Sequence, residues 1–246
     1  MKKCLVLANR ELSTYFYSPM AYVIGAMFLA VTALIFFHGL GLLDIPPVFR
    51  PGEEASLRSL FEAMAYIMVF TAPLLTMRLM SEEFRSGTIE KMLTTPISDT
   101  QIVLGKFLGV MSFYAVLLAT TLVFMGLVAR YGQPDAGVAV MGYLGMLLLG
   151  AAFTAVGIFT SSITRYQILA ALVGITILSV FTLLMGQLAV YAPSPVSEIA
   201  ARAGAMTYFR DFAKGMLDTR GLVYFISGTV LFLFLSVKSL ESRRWR

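Results

Sequence analysis

Cysteine, histidine and tryptophan each occur once in this chain of 246 residues, and charged residues make up only 13% of it. The single cysteine, Cys4, excludes a disulfide framework within the chain and a metal site built from clustered cysteines. The single histidine, His38, leaves no histidine for a Ser/His/Asp arrangement elsewhere. The sequence also lacks the Gly-x-x-x-x-Gly-Lys-Ser/Thr loop that holds nucleotide phosphates. We therefore expect a non-catalytic chain without a cofactor or metal of its own.

Apolar residues dominate what is present. They form 58% of the chain, and the mean hydropathy is +0.81, values typical of an integral membrane protein. The net charge of +5 is interpreted as lysine and arginine near a membrane surface, not as a nucleic-acid footprint. No polar block is long enough for a second domain, so residues 1–246 are predicted to form a single transmembrane domain.

Six apolar segments are long enough to cross a bilayer, for which about 20 residues suffice. The predicted spans cover residues 20–43, 60–77, 107–129, 137–163, 166–192 and 221–237. The predicted fold class is therefore an all-α integral membrane protein with six transmembrane helices.

Residues 1–18 do not form a cleaved signal peptide, because Arg10 and Glu11 interrupt the apolar core that such a peptide needs. Apolar residues recur there near helical spacing, which predicts an amphipathic helix lying in the membrane interface. These residues are Leu5, Ala8, Leu12 and Phe16. Pro19 is expected to break this helix before the first span.

The longest polar stretch lies between the second and third spans and covers residues 78–106. Residues 78–86 continue a helix from the second span, and Gly87 can adopt the left-handed conformation that ends helices. Thr88 is placed to cap a second, short helix over residues 89–95.

The residues around this short helix support its predicted bounds. Glu90 falls in its first turn, where negative charge suits the helix dipole, and Pro96 ends it. Ser98 and Gln101 have the spacing of a capping box, so a third helix is expected to begin there and run into the third span. From the residues alone, the stretch is either a docking surface of defined shape or a solvated loop, and both interpretations stay open.

The segment PLLTMRLMSEEFRSGTIEKMLTTPISDTQIVLGKFLG, residues 73–109, resembles the signature region of type-two ABC export permeases. The gliding-motility-type branch, together with the nitrous-oxide-reductase-maturation-type branch, is nearest. The family's Glu-x-x-x-Gly-Thr-x-Glu core and its Pro-x-Ser and Gly-Lys pairs are matched by Glu83, Gly87, Thr88, Glu90, Pro96, Ser98, Gly105 and Lys106. Residues 15–28 and 209–245 resemble the elbow helix and the C-terminal part of that family.

The resemblance implies a partner and a contact surface. In the family, this core belongs to a cytoplasmic coupling helix that sits in a cleft of a separate ATPase, which binds ATP-Mg. The expected ATPase-contact residues are Glu82, Glu83, Arg85, Gly87, Thr88, Ile89, Glu90, Met92 and Pro96. Two ATPase copies and a second permease copy, in a homodimer, are expected to complete the complex. An extracytoplasmic accessory subunit and membrane lipids are further candidate partners, and no nucleic acid is expected.

The function that the resemblance implies is that of an ABC exporter permease. ATP hydrolysis on the partner would then drive a substrate across the bacterial cytoplasmic membrane. The alternative is a non-transporting membrane anchor of an ABC-type complex that does mechanical or assembly work, in motility or enzyme maturation. A membrane-embedded enzyme or channel is disfavoured because no span carries the acid or histidine constellation that such chemistry needs.

The distribution of basic residues predicts the orientation of the spans. Six spans put both termini on one side, which carries twelve of the 19 lysines and arginines. Both termini are therefore expected to be cytoplasmic. The loop 193–220 would be external, and its apolar residues are expected to lie on the outer leaflet. These residues are Tyr208, Phe209, Phe212 and Met216.

Small residues and methionines in the spans are interpreted as packing residues. The fourth span contains Gly142, Gly145, Gly150, Ala151 and Ala155, which let helices approach closely within one subunit. Met64, Met68, Met77 and Met80 are scattered rather than clustered, so packing is preferred over a soft-metal path.

Overall fold

A computed structural model of the chain describes residues 2–41, 45–48, 57–87, 98–131 and 135–244. Within these ranges the regular structure is helical, which confirms the all-α prediction. The helices are α1 (Lys2–Tyr17), α2 (Pro19–His38), α3 (Leu57–Thr76), α4 (Arg78–Ser86), α5 (Asp99–Thr120), α6 (Leu122–Tyr131), α7 (Ala136–Ile163), α8 (Gln167–Ser179), α9 (Met185–Tyr191), α10 (Val196–Ala203), α11 (Ala205–Ala213) and α12 (Thr219–Arg244). A π-helical segment, Val180–Leu184, joins α8 to α9.

Six helical stretches in the described ranges are long and apolar enough to cross a membrane, as predicted. They are Pro19–His38, Leu57–Ser86, Asp99–Arg130, Ala136–Ile163, Gln167–Tyr191 and Thr219–Ser242. The second stretch is the most enclosed of the six. In its most apolar segment of 18 residues, 72% is buried inside the protein, against 28% for the fifth and sixth stretches. The second span therefore lies inside the bundle.

The first span ends earlier than predicted. Helix α2 stops at His38, and Gly39 follows with a φ of 72°. A side chain on Gly39 would also lie 2.7 Å from the carbonyl oxygen of Ile45. This tight approach turns the chain out of the helix, although the apolar pattern continues to Leu43.

Two other predicted spans are not continuous α-helices. A turn at Thr121 separates α5 from α6, where the hydroxyls of Thr120 and Thr121 donate to the carbonyls of Leu117 and Leu118 at 2.6 Å each. Threonine hydroxyls that bond back to their own helix often bend it. The fifth span contains the π-helical segment, a local widening that an apolar pattern does not reveal.

Helix α7 is the centre of the bundle and contacts α3, α5, α8, α11 and α12. Its glycines allow this contact. Gly142 faces the ring of Phe61 on α3, and Gly150 faces the ring of Tyr114 on α5. The interpretation of these small residues as contact sites within one subunit is confirmed.

The prediction for the loop between the last two spans is wrong in part. Phe209 and Phe212 on α11 are fully buried in the main hydrophobic core, and Phe212 packs against Gly145. Helix α7 covers the apolar face of α11, so Phe209 and Phe212 do not contact the outer leaflet of the membrane. Met216 is 52% exposed.

The four methionines considered for a metal path are buried among apolar residues. Met64 and Met68 lie in the main core, and Met77 and Met80 lie in smaller apolar clusters. The packing interpretation is confirmed.

Candidate functional site at the junction of the first three spans

Helix α4 leaves the second span and leads to the polar stretch, and its start is held by a side chain from another span. The hydroxyl of Ser161 on α7 accepts hydrogen bonds from the backbone N–H groups of Met80 and Ser81, each at 3.1 Å. It donates to the carbonyl oxygen of Met77 at 3.0 Å. The first N–H groups of a helix have no partner within the helix. Ser161 supplies that partner and ties α4 to the centre of the bundle.

A buried ion triad ties α4 to two further helices. The ammonium of Lys106 on α5 lies 2.6 Å from Glu83 Oε1 on α4 and 3.1 Å from Glu11 Oε1 on α1. The lysine side chain is 1% exposed, and those of Glu11 and Glu83 are 12% and 18% exposed. We call these three residues the Lys106 triad. A buried lysine keeps its charge only when it is paired in this way.

One oxygen of the Lys106 triad has no partner among the residues that the structure describes. Glu83 Oε2 is buried and lacks a hydrogen bond there. Two carboxylates share one ammonium, so the triad carries one unbalanced negative charge. Removing Lys106 would leave two largely buried carboxylates without their ammonium, which is strongly destabilising.

Helix α1 packs along α5 through two glycines one helical turn apart. A Cβ on Gly105 would lie 2.8 Å from Leu7 Cδ2, and a Cβ on Gly109 would lie 2.6 Å from Glu11 Cβ. The spacing is that of the Gly-x-x-x-Gly motif, which lets membrane helices approach closely. This close approach brings Glu11 within reach of Lys106.

Tyr15 fixes the C-terminal end of α1. Its hydroxyl donates to the carbonyl oxygen of Leu75 on α3 at 2.7 Å. Burial raises the pKa of Tyr15 well above its usual range, and the negative charge of Glu11 raises this pKa further. The phenol therefore stays protonated and remains a hydrogen-bond donor at any physiological pH.

Helix α1 exists over the predicted residues, and Pro19 begins α2 after an extended Ser18, as predicted. On its apolar side, Ala8 is buried against α5, whereas Leu5 is 60% exposed and Phe16 is 40% exposed. Its position in the membrane interface stays a prediction.

The structure describes four of the nine predicted ATPase-contact residues. Glu83 belongs to the Lys106 triad, whereas Glu82 and Arg85 are exposed on α4. Gly87 ends α4 with a φ of 69°, in the left-handed conformation predicted for it. The other five, Thr88, Ile89, Glu90, Met92 and Pro96, lie outside the described residues, as does the predicted short helix.

The chain re-enters the described region at a helix start that the sequence predicts correctly. Ser98 is extended, its hydroxyl accepts from the backbone N–H of Gln101, and the Gln101 side chain accepts from the backbone N–H of Ser98. Both halves of the capping box are present. Gly87 and Ser98 are thus the described residues on either side of residues 88–97.

Sequence reasoning missed Glu11 and Ser161 and left Lys106 without a role. The signals were weak: an acid in an otherwise basic amphipathic helix, a lysine at the end of a polar stretch, and a serine in a small-residue span. Glu11 and Lys106 are 95 residues apart, and nothing in a single sequence pairs them.

The hydrogen bonds and ion pairs of this site can hold helices in position. The described residues contain no group of three or more His, Cys, Asp or Glu that could hold a metal ion. The Lys106 triad instead connects α1, α4 and α5 at the point where the chain leaves the second span and enters the third.

Comparison with protein families agrees with this architecture. A family profile described as "ABC-2 family transporter protein" matches residues 5–219. The chain belongs to the ABC-2 transporter family. It is therefore a multi-pass membrane permease component of an ABC transporter, and the family implies an ABC ATPase as its partner subunit. No curated protein matched the sequence.

Proposed function

We propose that this permease is the membrane subunit of an ATP-driven exporter and that residues 78–106 form its coupling region. A separate ATPase would bind and hydrolyse ATP-Mg, and this chain would contribute no catalytic group. The observation that carries the proposal is the Lys106 triad, because it links α4, directly before residues 88–97, to the third span and to the N-terminal helix.

The proposed mechanism follows from these connections. Closure of the ATPases would push on residues 88–97, which lie between Gly87 and Ser98. Because α4 is bonded to α7 by Ser161 and to α5 by Lys106, the displacement would pass to two spans together. Those spans would rock and open a path towards the outside of the cell.

The assembly we propose contains two ATPase copies and two copies of this permease. One six-span bundle offers only half of a central path, and two-fold pairing of identical chains is the commonest way to complete one. The proposed location is the bacterial cytoplasmic membrane, with both termini cytoplasmic, and an accessory subunit on the outside is compatible with it. Within the family, the pattern of its signature region is similar to that of the gliding-motility-type branch.

The second candidate is a membrane anchor whose ATPase does mechanical or assembly work. The likeness of the signature region to motility and enzyme-maturation branches favours it. The two functions differ in how the ATPase responds to a substrate. The ATPase activity of an exporter is stimulated by its cargo, and that of an anchor is not.

The test is purification of the tagged permease in mild detergent from its own host, followed by identification of the chains that co-purify. We expect an ATPase with a phosphate-binding loop, in equal copy number with the permease. Co-expressed copies with different tags should also pull each other down. Recovery of the permease without any ATPase would overturn the proposed function.

A further inference from the structure

A cavity of about 290 Å³ lies beside the Lys106 triad, between α1, the start of α2 and the junction of α3 with α4. Its volume is at the lower end of the range for small-molecule sites, roughly 300 Å³. It is bordered by the first turns of the first span and the last turn of α3. The cavity therefore lies beside the start of the first span and the junction of α3 with α4, which we place at the membrane surface.

Both walls of the cavity change from polar to apolar in the same direction. Along the first span, Ser18 is followed by Ala21 and Ile24. Along the second span and α4, Glu82 lies at the end nearer the membrane surface and Leu74 lies deeper in the apolar layer. Such a gradient matches an amphiphile whose head is at the membrane surface and whose chain enters the apolar layer.

The charges that line the cavity are balanced. Three are basic and three are acidic: Arg10, Arg78, Lys106, Glu11, Glu82 and Glu83. Lys106 already forms ion pairs with Glu11 and Glu83. The remaining cations of the lining are Arg10 and Arg78, both exposed, which share it with Glu82 and the unbalanced charge of the triad. A simple anion would meet the carboxylates, and a simple cation would meet the arginines. A head group with both charges, a few ångströms apart, is complementary to the whole lining.

We propose that this cavity binds the phosphoethanolamine head group of a membrane phospholipid. Arg10 and Arg78 would hold the phosphate, since guanidinium groups match phosphate oxygens with paired hydrogen bonds. Glu82 and the triad carboxylates would accept hydrogen bonds from the primary ammonium. The acyl chains would follow Ile24 and Leu74 into the bilayer. The lipid would thus fill the space between the N-terminal helix and the coupling region.

The test is a titration of the delipidated full-length chain with three lipids of identical acyl chains, followed by native mass spectrometry. The lipids are phosphatidylethanolamine, phosphatidylcholine and phosphatidylglycerol. We expect phosphatidylethanolamine to bind about tenfold more tightly than the other two. Choline has no N–H to donate to a carboxylate, and glycerol carries no positive charge. Equal binding of the three, or a preference for phosphatidylglycerol, overturns the proposal.

Variants separate the two halves of the site. Arg10→Gln with Arg78→Gln should weaken phosphatidylethanolamine binding about tenfold or more. Glu82→Gln should weaken phosphatidylethanolamine binding and strengthen phosphatidylglycerol binding. The control, Arg165→Gln, removes an exposed arginine from the turn between α7 and α8, outside the cavity, and should change neither.

Two further outcomes would count against the proposal. Unchanged lipid binding by the double arginine variant would do so, provided the variant keeps the wild-type unfolding temperature. Competition by soluble phosphoethanolamine as strong as that by the lipid would assign the cavity to a free metabolite instead. Because this measurement needs no ATPase, its failure would leave the proposed exporter function untouched.

Discussion

The ammonium of Lys106 lies 2.6 Å from Glu83 Oε1, which joins the third span to α4, the helix that precedes residues 88–97. The same ammonium reaches Glu11 at 3.1 Å. One side chain that is 1% exposed thus holds three helices together.

Replacing this lysine is expected to destabilise the permease. Lys106→Met leaves two largely buried carboxylates facing each other, at a cost of about 3 kcal/mol. This is the low end for broken buried pairs, because both carboxylates keep some exposure. The measurement is the midpoint of thermal unfolding in detergent, and adding Glu83→Gln should recover part of the loss.

The control for this variant is Lys238→Met. Lys238 pairs with Glu241 at 2.7 Å, but the two side chains are 56% and 40% exposed. Exposed pairs contribute at most about 1 kcal/mol. Equal destabilisation by the two lysine variants would show that the Lys106 triad has no special weight.

Loss of the Ser161 hydroxyl is expected to lower the stability of the permease more than loss of an exposed serine hydroxyl. Ser161→Ala removes the acceptor of two buried N–H groups at the start of α4, at a cost of about 1–3 kcal/mol. Ser112→Ala is the matched control, since the exposed Ser112 hydroxyl bonds to Leu108 within its own helix. Thermal unfolding midpoints compare them. No difference between the two variants would argue against Ser161 as an anchor of α4.

Substitutions at Gly87 test the proposed coupling region, because they change the backbone conformation that this turn allows. A side chain on Gly87 would meet nothing within 4 Å, but its φ is 69°. Gly87→Val forces a β-branched residue into the left-handed region, at about 1–2 kcal/mol. We expect the purified complex to lose its ATPase, or to keep an ATPase that is uncoupled from function.

Gly87→Asn is the matched control, because asparagine tolerates the left-handed conformation. It should retain normal amounts of bound ATPase and normal ATP turnover. Glu90→Lys, at the predicted start of the coupling helix, should act in the same direction as Gly87→Val. Full activity of both Gly87→Val and Glu90→Lys would remove the main support for the coupling assignment.

The helix ends around the site are predictable from the sequence, because neighbouring residues determine where a helix starts and stops. Pro19, Gly87 and the Ser98–Gln101 pair set helix ends through their own backbone preferences, and all three predictions are confirmed. Contacts between distant helices are different. The apolar face of α11 looks the same whether lipid or protein covers it, so the burial of Phe209 could not be predicted. The Lys106 triad likewise depends on how α1 packs on α5.

Orientation is tested by labelling two serines that are both exposed in the structure, Ser86 and Ser194. In a Cys4→Ser background, Ser194→Cys should react with an impermeant thiol reagent added to intact cells. Ser86→Cys should react only after the membrane is opened, which also shows that this position is reactive. Labelling of Ser86→Cys from outside would contradict the predicted cytoplasmic placement of the coupling region.

The glycines of α7 have a consequence for how the chain is made. Phe61 and Tyr114 belong to the second and third spans, yet the surfaces that receive their rings, Gly142 and Gly150, belong to the fourth. Synthesis runs from the N-terminus, so the earlier spans enter the bilayer before their packing partner exists. The contacts of Phe61 and Tyr114 with α7 can therefore form only after the ribosome has delivered α7. Factors that assist membrane insertion can engage the earlier spans during that interval.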